Sequence, residues 1–243
     1  MRILIISDIH ANVAALEAVL QDAGSFDRLW CLGDVVGYGP DPNECVERVR
    51  EVRRYQCLAG NHDWAVLEKL DLSDFNSDAR LAALWTQKQL TPDNRAFLDA
   101  RLETIGPLED RFFLAHGSPR HPIWEYILDE VIAEENFPYF PTQVCFVGHT
   151  HVPVIYVQET GDVRPITPAV DRPFGLGEHR LIINPGSVGQ PRDGDPRASY
   201  AILDTEAATV THRRVPYPIE KTQAKMTEVH LPRRIIDRLS YGW

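Results

Sequence analysis

Seven side chains of types that bind metal ions occur in short polar motifs along this chain. They are carboxylates, an amide and imidazoles: Asp8, His10, Asp34, Asn61, His116, His149 and His151. This mixture suits divalent ions such as Mn, Fe, Zn, Co or Ni. Two such ions a few ångströms apart can hold both the attacking and the leaving oxygens of a phosphoryl transfer. The residue types therefore predict a binuclear metal site for phosphoester hydrolysis.

The elements that must position these motifs are short apolar runs, many of them β-branched and bounded by turn residues. This pattern is typical of buried strands, and the runs are 3–6, 29–32, 55–59, 112–115, 144–147 and 181–183. Metal-type residues follow five of the runs directly. Because ligands bind at the carboxyl ends of strands in open α/β sheets, we expect the motifs to meet at one edge.

Two pairs of candidate ligands have the spacing i and i+2, Asp8 with His10 and His149 with His151. Side chains at this spacing leave an extended strand on the same face. Each pair is therefore expected to reach one metal cluster. Taken singly, each motif also has a structural interpretation as a turn, a strand end or a hydrogen-bonded histidine. Five motifs, each after a strand, favour the metal site.

The periodicity of the remaining chain predicts an α/β fold. Asn12 is a candidate cap of one helix, and Asp41 with Pro42 opens a second. Strand–helix alternation in the first half indicates crossover units. The second half is rich in predicted strands, at 153–158, 163–166, 180–184, 199–204 and 209–215. Together they predict two packed mixed sheets flanked by helices.

We predict one domain over residues 1–243, with two distinct segments. Residues of about 64–108 have helical spacing and no evident strand, which predicts an insertion of two or three helices. A further helix is expected at 123–135. The tail at about 217–243 has no clear period. It either docks as a terminal helix or mediates contacts between subunits of a homo-oligomer.

Composition restricts the classes of partner. The formal net charge of −10 disfavours non-specific binding to nucleic acid or anionic membranes. The four cysteines form no C-x-x-C pair, which favours buried free thiols in a reducing compartment. The first apolar run is too short for a signal peptide or a membrane span. We therefore expect a cytoplasmic protein.

As an ordered set, the motifs resemble those of the calcineurin-like metallophosphoesterases. That family has D-x-H, G-D, G-N-H-[DE], H and G-H-x-H, in this order. Here they read Asp8-Ile9-His10, Gly33-Asp34, Gly60-Asn61-His62-Asp63, His116 and Gly148-His149-Thr150-His151. The match covers residues 8 to 151, and the Asn-Pro-Gly-Ser stretch at 184–187 extends it.

The resemblance implies a four-layer αββα sandwich and two divalent ions, with Mn favoured. One ion is expected at Asp8, His10, Asp34 and His151, and the other at Asp34, Asn61, His116 and His149. A water bridging the two ions is expected to attack phosphorus in line. The resemblance implies that His62 does not bind a metal. It implies that His62 donates a proton or a hydrogen bond to the leaving oxygen, or stabilises the charge of the transition state. Asp63 either orients His62 or caps the following helix.

One stretch departs from the protein-phosphatase branch, which has G-D-x-V-D-R-G. Here Gly37 replaces the acid and Tyr38 replaces the phosphate-binding arginine. The form G-D-x-x-G-Y-G-P looks like the small prokaryotic phosphodiesterase branch. This favours small diesters, such as cyclic nucleotides, over phosphoproteins.

Three residues near the motifs are candidates for the substrate pocket: Tyr38, Arg120 and Arg192. An aromatic ring can stack a base and an arginine can bind phosphate. Trp124 is close enough in sequence to line the same pocket, but core packing is the favoured interpretation of this residue. Two other functions stay open. One is a phosphomonoesterase or dinucleoside-polyphosphate hydrolase, and the other is a non-catalytic scaffold. The intact His62 argues against the scaffold.

Overall fold

A computed structural model describes residues 1–243 and shows two six-stranded mixed sheets. The first has the order β3-β2-β1-β11-β12-β9, and the second has the order β4-β5-β6-β10-β7-β8. The strands of the first sheet are β1 (Arg2–Ile6), β2 (Arg28–Cys31), β3 (Tyr55–Cys57), β9 (Pro173–Gly175), β11 (Ala198–Asp204) and β12 (Thr209–Val215). Those of the second are β4 (Thr104–Leu108), β5 (Phe112–Ala115), β6 (Val144–Phe146), β7 (Val154–Glu159), β8 (Asp162–Ile166) and β10 (Arg180–Asn184).

Eight α-helices accompany the sheets. They are α1 (Val13–Ala23), α2 (Pro42–Glu51), α3 (Asn61–Val66), α4 (Ser77–Gln89), α5 (Pro92–Asp99), α6 (Glu130–Asn136), α7 (Ile219–Glu228) and α8 (Arg233–Asp237). Asn12 caps α1 as expected, because its side chain accepts a hydrogen bond from the backbone N–H of Ala15. The α/β fold with two mixed sheets and flanking helices is confirmed.

Three apolar layers hold the fold together. Between the sheets, Ile3, Ile5 and Trp30 pack with residues of the second sheet such as Phe112 and Phe146. The other face of the first sheet packs against α1 and α2, and that of the second sheet packs against α6. Both faces of the central strands are therefore buried, which is why their sequences are apolar runs rather than alternating patterns.

The parallel strands determine where the motifs meet. In the first sheet β1, β2 and β3 are parallel, and in the second β5, β6 and β10 are parallel. The loops that follow β1, β2, β3, β5 and β6 contain the predicted ligands. Because both groups of strands end at the same side of the molecule, these loops converge there.

Three details of the predicted element order were wrong. The segment 64–108 contains a strand, β4, which its Gly and Pro residues concealed because both are depleted in strands. The helix expected at 123–135 begins only at Glu130, where Asp129 supplies an N-cap. The short edge strand β9 was not predicted at all. It has three residues and starts with proline, as edge strands tolerate.

The tail docks on the molecule as two helices, α7 and α8, and a short 3₁₀ helix (Arg238–Ser240). Their apolar residues pack with Tyr38, Ala79 and Ala82 in a separate cluster. Docking confirms the first of the two alternatives for the tail. The division into one domain with an insertion stays a prediction. All four cysteines are buried and free, as expected, and none of the helices has the length and apolarity needed to cross a bilayer.

Candidate metal centre

The seven predicted ligands come together in one buried group, which we call the histidine–carboxylate cluster. Its members are Asp8, His10, Asp34, Asn61, His116, His149 and His151, and all are nearly inaccessible to solvent. Within it, possible ligand atoms of Asp8, His10 and His151 lie within 4.8 Å of one another, and so do those of Asp34, His116 and His149.

The first group is centred on Asp8. Its Oδ1 lies 3.3 Å from Nε2 of His151 and 3.9 Å from Nε2 of His10. The two histidine Nε2 atoms are 3.0 Å apart. Three ligand atoms therefore face one another in a small volume.

The second group is centred on Asp34. Its Oδ2 lies 3.4 Å from Nε2 of His116 and 3.7 Å from Nε2 of His10, so this carboxylate faces both groups. Asn61 belongs to the second group, since its Oδ1 is 3.2 Å from Nε2 of His116. The partition of these residues between two ions, which the resemblance implies, stays a prediction.

Backbone carbonyls orient three of the histidines. Nδ1 of His10 lies 3.3 Å from the carbonyl oxygen of Val36, and Nδ1 of His116 lies 2.9 Å from that of Leu32. Nδ1 of His151 lies 2.5 Å from the carbonyl oxygen of Gln190. A Nδ1–H donor at each position leaves Nε2 free to face the cluster. Such an outer hydrogen bond is the usual support of a metal-binding histidine.

His149 uses the opposite nitrogen. Its Nε2 is 3.2 Å from the carbonyl oxygen of Trp124. Nδ1 is then the nitrogen available to the cluster.

The backbone at the ligands differs from the expected extended geometry. Five ligands have positive φ: Asp8 (54°), His10 (49°), Asp34 (53°), His149 (65°) and His151 (62°). The extended-strand geometry behind the i and i+2 argument was therefore wrong, since β1 and β6 end before the predicted ligands begin. Left-handed conformations of residues other than glycine cost about 1–3 kcal/mol each and concentrate at functional sites.

The electrostatics of the carboxylates fit bound cations. Burial alone would raise the pKa of Asp8 and Asp34, yet neighbouring histidines hold both pKa values below their ordinary range. Asp8 Oδ1 and Asp34 Oδ2 are buried and accept no hydrogen bond from the protein. Buried charged oxygens without a donor are costly unless a cation pairs with them. The donor set therefore fits divalent metal ions.

Two of the histidines are in the neutral form that binds metals. Burial lowers the pKa of His10, and it lowers that of His149 to about 3, so both rings are neutral near pH 7. His116 differs, because the charges of Asp34 and Asp8 outweigh burial and raise its pKa to about 9. A cation at this position would displace that proton, as metal binding to imidazole requires.

His62 lies against the cluster at the start of α3. Its backbone N–H donates to Oδ1 of Asp34 at 2.8 Å, and its ring lies 4.9 Å from that of His10. Nδ1 of the ring has no hydrogen-bond partner. Burial and Arg192 lower the pKa of His62 to about 4, against the opposing charge of Asp34, so the neutral ring keeps one N–H to donate.

Asp63 makes no hydrogen bond with His62. Its carboxylate accepts the backbone N–H groups of Val36 at 3.1 Å and Gly60 at 3.0 Å. Burial, with a contribution from Asp34, raises the pKa of Asp63 to about 7. Of the two roles expected for Asp63, these contacts support the helix cap, and they give no support to a catalytic role beside His62.

Gly37 makes room for His62. A Cβ at position 37 would lie 2.7 Å from Nδ1 of His62, and its φ of +92° is one that glycine tolerates. The departure from the protein-phosphatase sequence thus has a physical basis, because a side chain at position 37 would displace the His62 ring.

Four aromatic rings border the cluster, and we call them the aromatic wall: Tyr38, Phe75, Trp124 and Tyr126. Tyr38 lies 4.3 Å from His62 between ring centroids, Phe75 lies 5.2 Å from His62, and Tyr126 stacks on His149 at 3.7 Å. The prediction of a core position for Trp124 was wrong. Its ring is partly exposed and lies 5.0 Å from Phe75 and 6.4 Å from His149.

Sequence reasoning missed Phe75 and Tyr126. The only signal was an aromatic residue in a polar loop, which does not reveal its neighbours. Tyr126 was hidden further, because 123–135 was interpreted as one helix.

The two candidate arginines have different environments. Arg120 forms ion pairs with Glu125 and Glu135, so its guanidinium is engaged by acidic side chains. Arg192 lies beside the cluster, with its Cζ 5.8 Å from the centroid of Tyr38. The structure therefore brings Tyr38 and Arg192 to the site but not Arg120.

Known proteins are similar to this chain in sequence and in fold. The sequence pattern of the calcineurin-like phosphoesterase superfamily domain matches residues 1–208. A metallophosphoesterase from Sphaerobacter thermophilus has 50% sequence identity and a TM-score of 0.91, with 100% of this chain and 99% of that one covered. The uncharacterized protein MJ0912 of Methanocaldococcus jannaschii is 39% identical over 99% of this chain and 98% of its own length. The phosphodiesterase YfcE of Escherichia coli K12 is 27% identical over 86% of this chain and 91% of its own.

The chain therefore belongs to the calcineurin-like phosphoesterase superfamily. It is a metal-dependent phosphoric ester hydrolase, and among its relatives is a protein named as a phosphodiesterase. The resemblance in the motifs is confirmed.

Proposed function

We propose that this protein is a phosphodiesterase with two divalent metal ions, for which Mn is the favoured element. Asp8, His10 and His151 would hold one ion, and Asn61, His116 and His149 would hold the other. Asp34, whose carboxylate faces both groups, would contribute to both sites. The observation that carries the proposal is the position of Asp34, whose Oδ2 lies 3.7 Å from Nε2 of His10 and 3.4 Å from Nε2 of His116.

When bound, such a pair of ions activates water for attack on phosphorus and neutralises the phosphate oxygens. The chain supplies the geometry, since backbone carbonyls fix the histidine rings before substrate arrives. His62 donates its ring N–H to the leaving oxygen, where charge develops in the transition state. Gly37 and Phe75 set the position of that ring.

Two observations favour diesters over monoesters. Tyr38 occupies the place of the phosphate-binding arginine and packs on His10 and His62. A diester has less negative charge than a monoester, so it needs less cationic support. The E. coli relative is also named as a phosphodiesterase. We include small diesters such as cyclic nucleotides in the proposal, together with a cytoplasmic location.

The test is a substrate panel measured with several divalent metals. Purified protein loaded with Mn should hydrolyse bis-aryl phosphate or a 2′,3′-cyclic nucleotide faster than an aryl monoester. Faster turnover of monoesters or dinucleoside polyphosphates would replace the diester assignment. If no phosphoester is turned over with any metal, the chain is a scaffold and the proposal fails.

A further inference from the structure

Two guanidinium groups converge on one amide oxygen beside the histidine–carboxylate cluster. Nη2 of Arg192 donates to Oε1 of Gln190 at 2.9 Å, and Nη1 of Arg238 donates to the same oxygen at 3.2 Å. Arg192 lies in the loop after β10, whereas Arg238 begins the 3₁₀ helix of the tail. Residues 46 positions apart in sequence (238 − 192) are thereby held as a pair.

Neither guanidinium is neutralised by an acidic side chain. No Asp or Glu oxygen lies within 4.0 Å of either one, whereas the nearby Arg197, Arg214 and Arg233 each pair with an aspartate. Arg238 also donates from Nε to the backbone oxygen of Trp243 at 2.5 Å. Its pKa is lowered by burial and by the charge of Arg192. Arg192 therefore has no anionic partner, whereas Arg238 faces one carboxylate oxygen of Trp243.

The pair lies next to the proposed metal centre. The carbonyl oxygen of Gln190 binds Nδ1 of His151, while its side chain binds the two arginines. The guanidinium of Arg192 lies 5.8 Å from the centroid of Tyr38, which lies 4.3 Å from that of His62. One residue therefore separates the arginines from a metal-binding histidine.

Space for a ligand exists beside Arg238. A cavity of about 180 Å³ lies between the N-terminus of α4 and the tail helices. Its lining includes Tyr38, Asn76, Arg234 and Arg238, with Asp78 as the only acidic side chain. The lining is therefore mainly polar or cationic and suits an anion.

We propose that Arg192 and Arg238 form an anion subsite that binds a second phosphoryl group of the substrate. The proposal rests on the proposed function, in which the scissile phosphate lies at the metals. Guanidinium groups bind phosphate oxygens through paired N–H donors, and Gln190 presents the two groups side by side. The substrate class is accordingly a phosphodiester with an additional phosphoryl group.

The tail thereby acquires a role in specificity. Arg238 lies outside the part of the chain, residues 1–208, that matches the superfamily pattern. The superfamily domain contributes the metal centre, and the tail contributes half of the anion subsite.

Calorimetric titration of the metal-loaded protein with inorganic pyrophosphate and with inorganic phosphate tests the subsite without turnover. Arg238→Gln and Arg192→Gln should each weaken pyrophosphate binding about tenfold or more, with a smaller effect on phosphate. Arg238→Lys should retain part of the affinity. Arg233→Gln is the matched control, since Arg233 is exposed and pairs with Asp237.

Equal pyrophosphate affinity in the wild type and in both glutamine variants would overturn the subsite. The same preparations are assayed with bis-aryl phosphate, which has no second phosphoryl group. Pyrophosphate binding that depends on Arg238, without hydrolysis of any diester, would overturn the proposed function and leave the subsite standing. Circular dichroism of each variant shows that the tail still folds.

Discussion

The histidine–carboxylate cluster and its borders are built in different ways. In the cluster, each predicted ligand lies in the short segment that follows a strand, and backbone groups fix several of the side chains. The aromatic wall and the arginine pair come from loops and from the tail. Ring contacts and one shared amide oxygen hold them in place.

This difference in construction is the basis for expecting the chemistry in the cluster and the substrate specificity in its borders. A cluster fixed by strand ends and carbonyls has little freedom to change. A border made of loop and tail residues can change without disturbing the strands. We therefore expect substitutions in the cluster to abolish turnover and substitutions in the border to alter the binding of substrate.

The largest effect is expected for Asp34→Asn, which removes the proposed bridging carboxylate. We expect turnover of bis-aryl phosphate to fall about a thousandfold or more, because transition-state charge loses its support. Metal content, measured by elemental analysis, should fall in parallel. Asp110→Asn changes an exposed aspartate in the same way and should leave both quantities as they are. Full activity of the Asp34→Asn variant would contradict the expectation that substitutions in the cluster abolish turnover.

Replacement of His62 should give the next largest effect. In His62→Asn, we expect kcat to fall about a hundredfold with metal content retained, since the proposed role of His62 is on the leaving group and not on the metals. His179→Asn, at an exposed position, is the control. A parallel loss of metal would show that His62 is a ligand, which its position within 4.8 Å of His10 and Asp34 permits.

The cluster could be predicted from the sequence because the features that define it lie within short segments of the chain. Apolar runs, the turns after them and the ligand types are visible in Ile3–Ile6 or Val144–Val147 without knowledge of contacts. The left-handed φ of Asp8 and His149 was not visible, because dihedral angles of polar residues are set by the surrounding loops. β4 was missed because Gly106 and Pro107 break the pattern of a strand.

The border could not be predicted in the same way. Phe75 meets Trp124, and Arg192 meets Arg238, only after distant segments have packed. No spacing in the sequence encodes those contacts. Tyr38 was identified as a substrate candidate from its place in a motif, yet its packing on the tail helices was not foreseen.

Gly37→Ala tests the boundary between the histidine–carboxylate cluster and its borders. The added Cβ would meet His62, so we expect about a tenfold loss of kcat, together with backbone strain of about 1–2 kcal/mol. Gly161→Ala is a matched control, because Gly161 also has positive φ (+84°) but no atom within 4 Å of an added Cβ. Thermal unfolding should detect the strain in both variants, and only Gly37→Ala should lose activity. Equal activities would show that the His62 ring does not need this space.

The smallest effect is expected for Tyr126→Ala in the aromatic wall. Loss of one stacking ring should raise KM for an aryl or nucleotide diester about fivefold and leave kcat largely unchanged. Tyr139→Ala removes an exposed tyrosine from another part of the surface and serves as the control. A fall in kcat with constant KM would place Tyr126 in the chemistry and remove the distinction between border and cluster.

Anomalous X-ray scattering from crystals grown with Mn tests the central claim most directly. The account predicts two peaks about 3.5–4 Å apart, both within bonding distance of the Asp34 carboxylate. One peak should contact Asp8, His10 and His151, and the other Asn61, His116 and His149. A single peak, or two peaks that do not share Asp34, would contradict the binuclear centre.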